Sequence, residues 1–148
     1  ARGRLAERGL APRCAVRQAD MYRLPLADAA FDAVALQMVL HYAEDPQAVL
    51  AEAARVLTPG GMLLVVDLAA HAQAAPMARH AHRWPGFDDA QIAGWLGAAG
   101  CALSRAAGCV PSRSADHIPS RSAGEGGALE VRLWTARRLP VAADAALA

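Results

Sequence analysis

Val49, Leu50, Ala53, Val56 and Leu57 recur three or four residues apart, the spacing of one helix face, with Glu52 and Arg55 on the opposite face. Asp45-Pro46 opens that helix: the aspartate caps it, and the proline suits a first turn that has no use for its missing N–H. Thr58-Pro59-Gly60-Gly61 closes it and turns the chain, Pro before Gly fitting a type II turn. A second helix starts at a cap on Asp88 or Asp89, with Gln91 placed for a capping box. It turns Ile92, Trp95, Leu96 and Ala99 inward and ends at Gly100. A third, Arg2 to Arg8, stops at Gly9.

Between the helices lie short apolar runs that read as strands: Cys14 to Asp20, Phe31 to Gln37, Met62 to Leu68, Cys101 to Ala107 and Leu129 to Ala136. Val34, Ala35 and Leu36 make the second apolar on both faces, which suits the middle of a covered, mostly parallel sheet. In the last, Leu129, Val131 and Leu133 alternate with Glu130, Arg132 and Trp134, the pattern of an antiparallel or near-edge strand. Ala69 to Phe87 reads as helix plus loop. Gly108 to Gly127 reads as a long polar loop, the internal segment expected to be least ordered. Residues 139–148 carry no packing pattern and are expected to be a disordered tail.

Helices alternating with strands predict an open α/β sheet whose first three strands are parallel. In such sheets ligands bind beyond the carboxyl ends of the strands. Asp20, Gln37 and Asp67 fall there, each after an apolar run. Strands also simply stop at polar residues, so position alone does not make these a pocket.

Composition narrows the classes. The chain has 148 residues, 55% of them hydrophobic, enough for one domain with a core. No apolar run reaches the roughly 20 residues that span a bilayer, so no membrane partner is expected. The net charge of +1 gives no field to recruit nucleic acid, and none is expected to bind this segment directly. All basic residues are arginine. The cysteines, Cys14, Cys101 and Cys109, show no CxxC spacing, which argues against a disulfide framework or zinc knuckle and for a reducing cytoplasm. His80 and His82, with His71 nearby, lack a further ligand at useful spacing, so no metal site is expected.

The stretch from Gln18 to Val34 carries Asp20, then Leu24-Pro25, then Phe31-Asp32. Val39-Leu40-His41-Tyr42 leads into Asp45-Pro46, and Arg55-Val56-Leu57-Thr58-Pro59-Gly60-Gly61 precedes an apolar strand. Together these resemble class I S-adenosylmethionine-dependent methyltransferases, of the type 11 kind, over about residues 15 to 68. The later stretch His80 to Phe87, with Ile92 to Leu96, is similar to methyltransferase domains fused behind ArsR-type winged-helix regulators.

The resemblance implies a Rossmann-like sheet of order 3-2-1-4-5-7-6 with strand 7 antiparallel, of which residues 1–138 would supply strands 3 to 7 and flanking helices. The family's glycine-rich loop and the acidic residue after its second strand are not found, so the chain is expected to be an amino-terminally truncated domain, inactive alone. The cofactor implied is S-adenosylmethionine, and the partner a small-molecule methyl acceptor. By position Asp20 would take the adenine amine, with Met21 beside the purine. Gln37 would face the methionine part of the cofactor. His41 is the candidate base for the acceptor's proton. One rival is a sensor module that binds cofactor or ligand for a fused regulator. Another is a nicotinamide-dependent oxidoreductase, disfavoured because a tyrosine–lysine catalytic pair needs a lysine and the chain has none.

Overall fold

The computed structural model describes residues 2–71, 82–109 and 130–140. Helix α1 (Arg2–Glu7) comes first, and Gly9 after it takes the left-handed conformation. Then come β1 (Phe31–Gln37), a single 3-10 turn (Leu40–Tyr42), α2 (Pro46–Val56) and β2 (Leu57–Leu68). Helix α3 (Asp89–Ala98), β3 (Cys101–Cys109) and β4 (Val131–Arg138) complete the order.

The strands form one four-stranded sheet, β1-β2-β4-β3. β1 and β2 run parallel, while β4 is antiparallel to both its neighbours. This is the expected 4-5-7-6 portion of the sheet, with flanking helices. Both long helices start as their sequences dictate. The Asp45 side chain accepts from Ala48 N at 3.0 Å with Pro46 in the first turn, and Asp88 accepts from Gln91 N at 2.7 Å. Gly60, at φ 80° after Pro59, supplies the left-handed position that a type II turn needs. Residues 58–61 loop out of the ladder there, since the register jumps from Phe31↔Leu57 to Ala33↔Met62.

The core lies between the sheet and α2 and α3. Leu50, Ala53 and Ala54 of α2, Ile92 and Leu96 of α3, Leu63 and Val65 of β2, and Trp134 and Ala136 of β4 are all buried. Trp134 is held from above, because its indole Nε1 donates to the Asp89 carboxylate at 2.8 Å. Arg132 grips the same carboxylate through two nitrogens, which keeps Asp89 below the usual aspartate range.

One expectation changes. Cys14 to Asp20 forms no strand; every residue of it is exposed, and only Asp20 makes an isolated bridge, to Arg23. A strand needs a neighbour to pair its backbone groups, and here none of its apolar side chains is buried. β1 is an edge of the described sheet, where the order 3-2-1-4-5-7-6 leaves strand 4 when only strands 4 to 7 are formed: Val34 and Leu36 pack on the core, while Phe31, Ala33 and Ala35 are exposed. Alternation alone leaves the inward face of β4 open; it is that of Trp134 and Ala136, and Val131 and Leu133 are only half-buried. The helix layer decides this, through Asp89.

The expected loop after Gly108 lies, from residue 110 on, outside the described residues, as do residues 72–81 with His80 and the tail from 141.

Candidate functional site at the carboxyl ends of β1 and β2

β1 and β2 pair in parallel up to Gln37↔Val66, so both chains leave the sheet at the same edge. Met38 then takes a left-handed conformation, φ 52°, and its N–H still reaches Val66 O at 2.8 Å. That reversal folds the 3-10 turn back over the end of β2. Leu40 and His41 are buried there, against Asp67.

Asp67 is fully buried and accepts three hydrogen bonds. Oδ2 takes Leu40 N at 2.9 Å, while Oδ1 takes Leu68 N at 2.8 Å and His41 Nδ1 at 2.6 Å. An ionised carboxylate only accepts, so Nδ1 of His41 carries a hydrogen toward Asp67. The His41 ring lies 4.1 Å from that of Tyr42 and 4.4 Å from that of His82, centroid to centroid.

Residues 82–87 cover the turn. Arg83 N and Trp84 N both donate to His41 O, at 2.8 and 3.2 Å, and Trp84 Nε1 donates to Ala43 O at 2.9 Å. Arg83 pairs with Glu44 at 2.8 Å. The other end of this cover is pinned to the end of β2: Phe87 N donates to Leu68 O, and Ala70 N to Phe87 O. Gly86 makes this possible. It sits at φ 93°, and a Cβ on it would come within 2.9 Å of Leu68 O and 2.5 Å of the Ala69 carbonyl carbon.

Asp20 stands at the start of a tight turn in which Arg23 N donates to Asp20 O at 3.2 Å. Its exposed carboxylate accepts from Tyr22 N at 2.9 Å. Met21 is half-buried and packs on the core. Tyr22 brings this turn to the same end of the sheet, because its hydroxyl accepts from Glu44 N and Asp45 N at 2.8 and 3.3 Å, at the entrance to α2. Gln37, the last residue of β1, is exposed at the same edge.

Asp20, Met21, Gln37 and His41 therefore gather at one end of β1 and α2, although Asp20 does not get there on a strand. Asp67 is legible as a polar residue ending a strand, but nothing in the sequence pairs it with His41. Tyr22 carries no sequence signal beyond its place two residues after Asp20. No group of three or more metal-ligating side chains forms among the described residues, and no described helix is long and apolar enough to cross a membrane.

Residues 1–65 match a family model described as a methyltransferase domain. The malonyl-[acyl-carrier protein] O-methyltransferase of Hahella chejuensis is 50% identical over 50 residues, 34% of this chain and 18% of that protein. The chain spans between 18% and 26% of the length of the first curated relatives it matches. Among solved structures, the geranyl diphosphate C-methyltransferase of Streptomyces coelicolor, in complex with Mg2+, geranyl diphosphate and S-adenosyl-L-homocysteine, aligns with a TM-score of 0.74 at 15% identity. That alignment covers 93% of this chain and 58% of the other. The [4+2]-cyclase SpnF aligns with a TM-score of 0.68 at 25% identity, covering 93% of this chain and 61% of that one. The likeness to a methyltransferase domain thus lies in residues 1–65, and the solved structures that align with the chain share its fold.

Proposed function

We propose that the protein carrying this chain transfers a methyl group from S-adenosylmethionine to a small-molecule acceptor by in-line displacement, with Asp20, Met21 and Gln37 on the cofactor side and His41 on the acceptor side. The observation that carries the reading is the buried His41–Asp67 pair at the carboxyl ends of two parallel strands, where this sheet type binds ligands.

The residues present suit the cofactor. Asp20 is an exposed carboxylate in a fixed turn, able to accept from an exocyclic amine, and Met21 offers an apolar side chain beside it. Gln37 presents an amide at the strand end. S-adenosylmethionine supplies a methyl group already activated on a sulfonium. The chain is left to position the partners, exclude water and take up a proton. His41 Nε2 accepts that proton from an oxygen or nitrogen acceptor, and Asp67 fixes the tautomer and faces the resulting imidazolium. The 82–87 segment shields the pair from water.

A fold shared with a [4+2]-cyclase does not decide chemistry, so the test must read binding and turnover separately. Titration calorimetry on the full-length protein should show binding of S-adenosylmethionine and S-adenosylhomocysteine. An acceptor panel should then yield S-adenosylhomocysteine. Absence of binding to either nucleoside would refute the cofactor reading; binding without turnover on any acceptor would make the protein a cofactor-binding module of another kind.

A further inference from the structure

The Asp20 turn is exposed, yet helix α2 holds it at three places. At its amino-terminal end the Tyr22 hydroxyl accepts from Glu44 N and Asp45 N. At its middle Glu52 Oε1 accepts from Leu24 N at 2.6 Å, a contact between residues 28 apart in sequence. Beside Glu52, Arg55 donates to the Leu24 and Leu26 carbonyls at 3.3 and 3.0 Å and pairs with Asp28. Glu52 and Arg55 lock each other, with Nε to Oε2 and Nη2 to Oε1 both at 2.8 Å.

This arrangement exceeds what helix stability needs. An i,i+3 pair on a helix surface contributes little to the helix. Here the same two side chains also make three hydrogen bonds to the backbone of Leu24 and Leu26 and one to the Asp28 side chain, in a segment with no regular structure. The Glu52 side chain is 12% exposed and that of Arg55 31%, so water competes little for Glu52. The Arg55 guanidinium holds the Glu52 carboxyl below the usual range, so the pair stays charged and rigid. Its fixed output is the path of residues 20–26.

We infer that Glu52, with Arg55 and Tyr22, is a positioning residue for the cofactor's nucleoside: α2 sets where the Asp20 carboxylate stands and hence its reach to the adenine amine. This rests on the reading of Asp20 given above. It assigns α2 a second task, distinct from packing on the sheet. Val49, Leu50 and Ala53 serve the core from one face, while Glu52 and Arg55 serve the site from the other.

The test uses two nucleosides on the full-length protein: S-adenosylhomocysteine, and its analogue with purine in place of adenine, which lacks the exocyclic amine. Calorimetry gives the ratio of their dissociation constants. In the wild type the amine should be worth on the order of tenfold or more, as a charge-assisted hydrogen bond is. Glu52→Ala frees the turn and should reduce that preference to about twofold or less. Glu52→Gln keeps an acceptor for Leu24 N but loses the ion pair, and should retain a larger share of the preference than Glu52→Ala does. Tyr22→Phe should lower the preference while leaving α2 intact by circular dichroism. A wild type without preference for the amine would defeat the Asp20 reading itself. A wild-type preference that Glu52→Ala, Glu52→Gln and Tyr22→Phe leave unchanged would overturn the positioning role alone. Equal weakening of both nucleosides would do the same, since that is what a merely structural role produces.

Discussion

Replacing Asp67 by Asn tests the centre of the proposed site, because it changes charge and hydrogen-bond direction with almost no change in size. Two orientations are open to the amide. With its oxygen in the Oδ1 position it still accepts from Leu68 N and His41 Nδ1, but its NH2 then faces Leu40 N, donor against donor. Flipped, it serves Leu40 and orphans Leu68 N, and it forces His41 to carry its hydrogen on Nε2. Either way one buried backbone N–H goes unpaired, at about 1–3 kcal/mol, and the remaining bonds lose their charge assistance. A destabilisation of roughly 2–4 kcal/mol follows, a fall in Tm of roughly 5–15 °C for a domain of this size. Turnover should fall roughly 10²-fold or more, since the imidazolium loses its counter-charge and general-base assistance contributes about 10²–10⁴-fold. Cofactor affinity, which the proposed reading places on the Asp20 side, should stay within about twofold, a shift of roughly 0.4 kcal/mol. Urea unfolding, calorimetry and kcat at saturating cofactor measure the three. A variant that loses stability but keeps kcat would show Asp67 to be a brace for the 38–41 turn and refute the catalytic pairing. One that loses neither would refute the geometry.

Asp20→Ala should weaken S-adenosylmethionine binding by roughly 1.5–3 kcal/mol through loss of a charge-assisted bond, and unchanged affinity by calorimetry would sink the adenine assignment. Gly86→Ala places a Cβ against the Ala69 carbonyl at φ 93° and should cost roughly 3 kcal/mol or more in denaturant unfolding, with faster proteolysis around residues 82–87. The acid limb of stability should follow Glu52 and Asp89, whose folded-state carboxyls are held low by Arg55 and Arg132 respectively. A depressed folded pKa gives stability that is fully present above the ordinary range of about 3.9–4.3 and is lost as pH falls below it. Urea midpoints at a series of acid pH values should therefore decline less steeply in the double variant Glu52→Gln, Asp89→Asn than in the wild type.

Local rules made the helices and most strands legible. Asp45-Pro46 and Asp88 cap as their chemistry requires, and Pro59-Gly60 turns as that dipeptide does. Where the reading failed, a distant partner decided. Cys14 to Asp20 has strand-like residues but joins no strand of the described sheet. Alternation in β4 marks two faces correctly without saying which is inside; that choice belongs to Asp89, 43 residues before Arg132 and 45 before Trp134. Alternation measures a difference between faces, and only the layer packed above fixes its sign.

The site was legible as residue types at strand ends, not as pairs. Asp67 and His41 are 26 residues apart, and two facts bring them together. One is the parallel register that sets Gln37 beside Val66, so that the next residue of β2 lies where the chain leaves β1. The other is the left-handed Met38, which turns the chain back over that point. Left-handed conformations are uncommon for residues other than glycine, and methionine gives no warning of one. Met38 holds it because its N–H remains bonded to Val66 while Leu40 N reaches Asp67. The carboxylate therefore fixes the turn that carries His41 and orients the histidine's ring at the same time. A role in folding and the proposed role in catalysis would rest on the same three hydrogen bonds, which is why only a variant that separates kcat from stability can tell them apart.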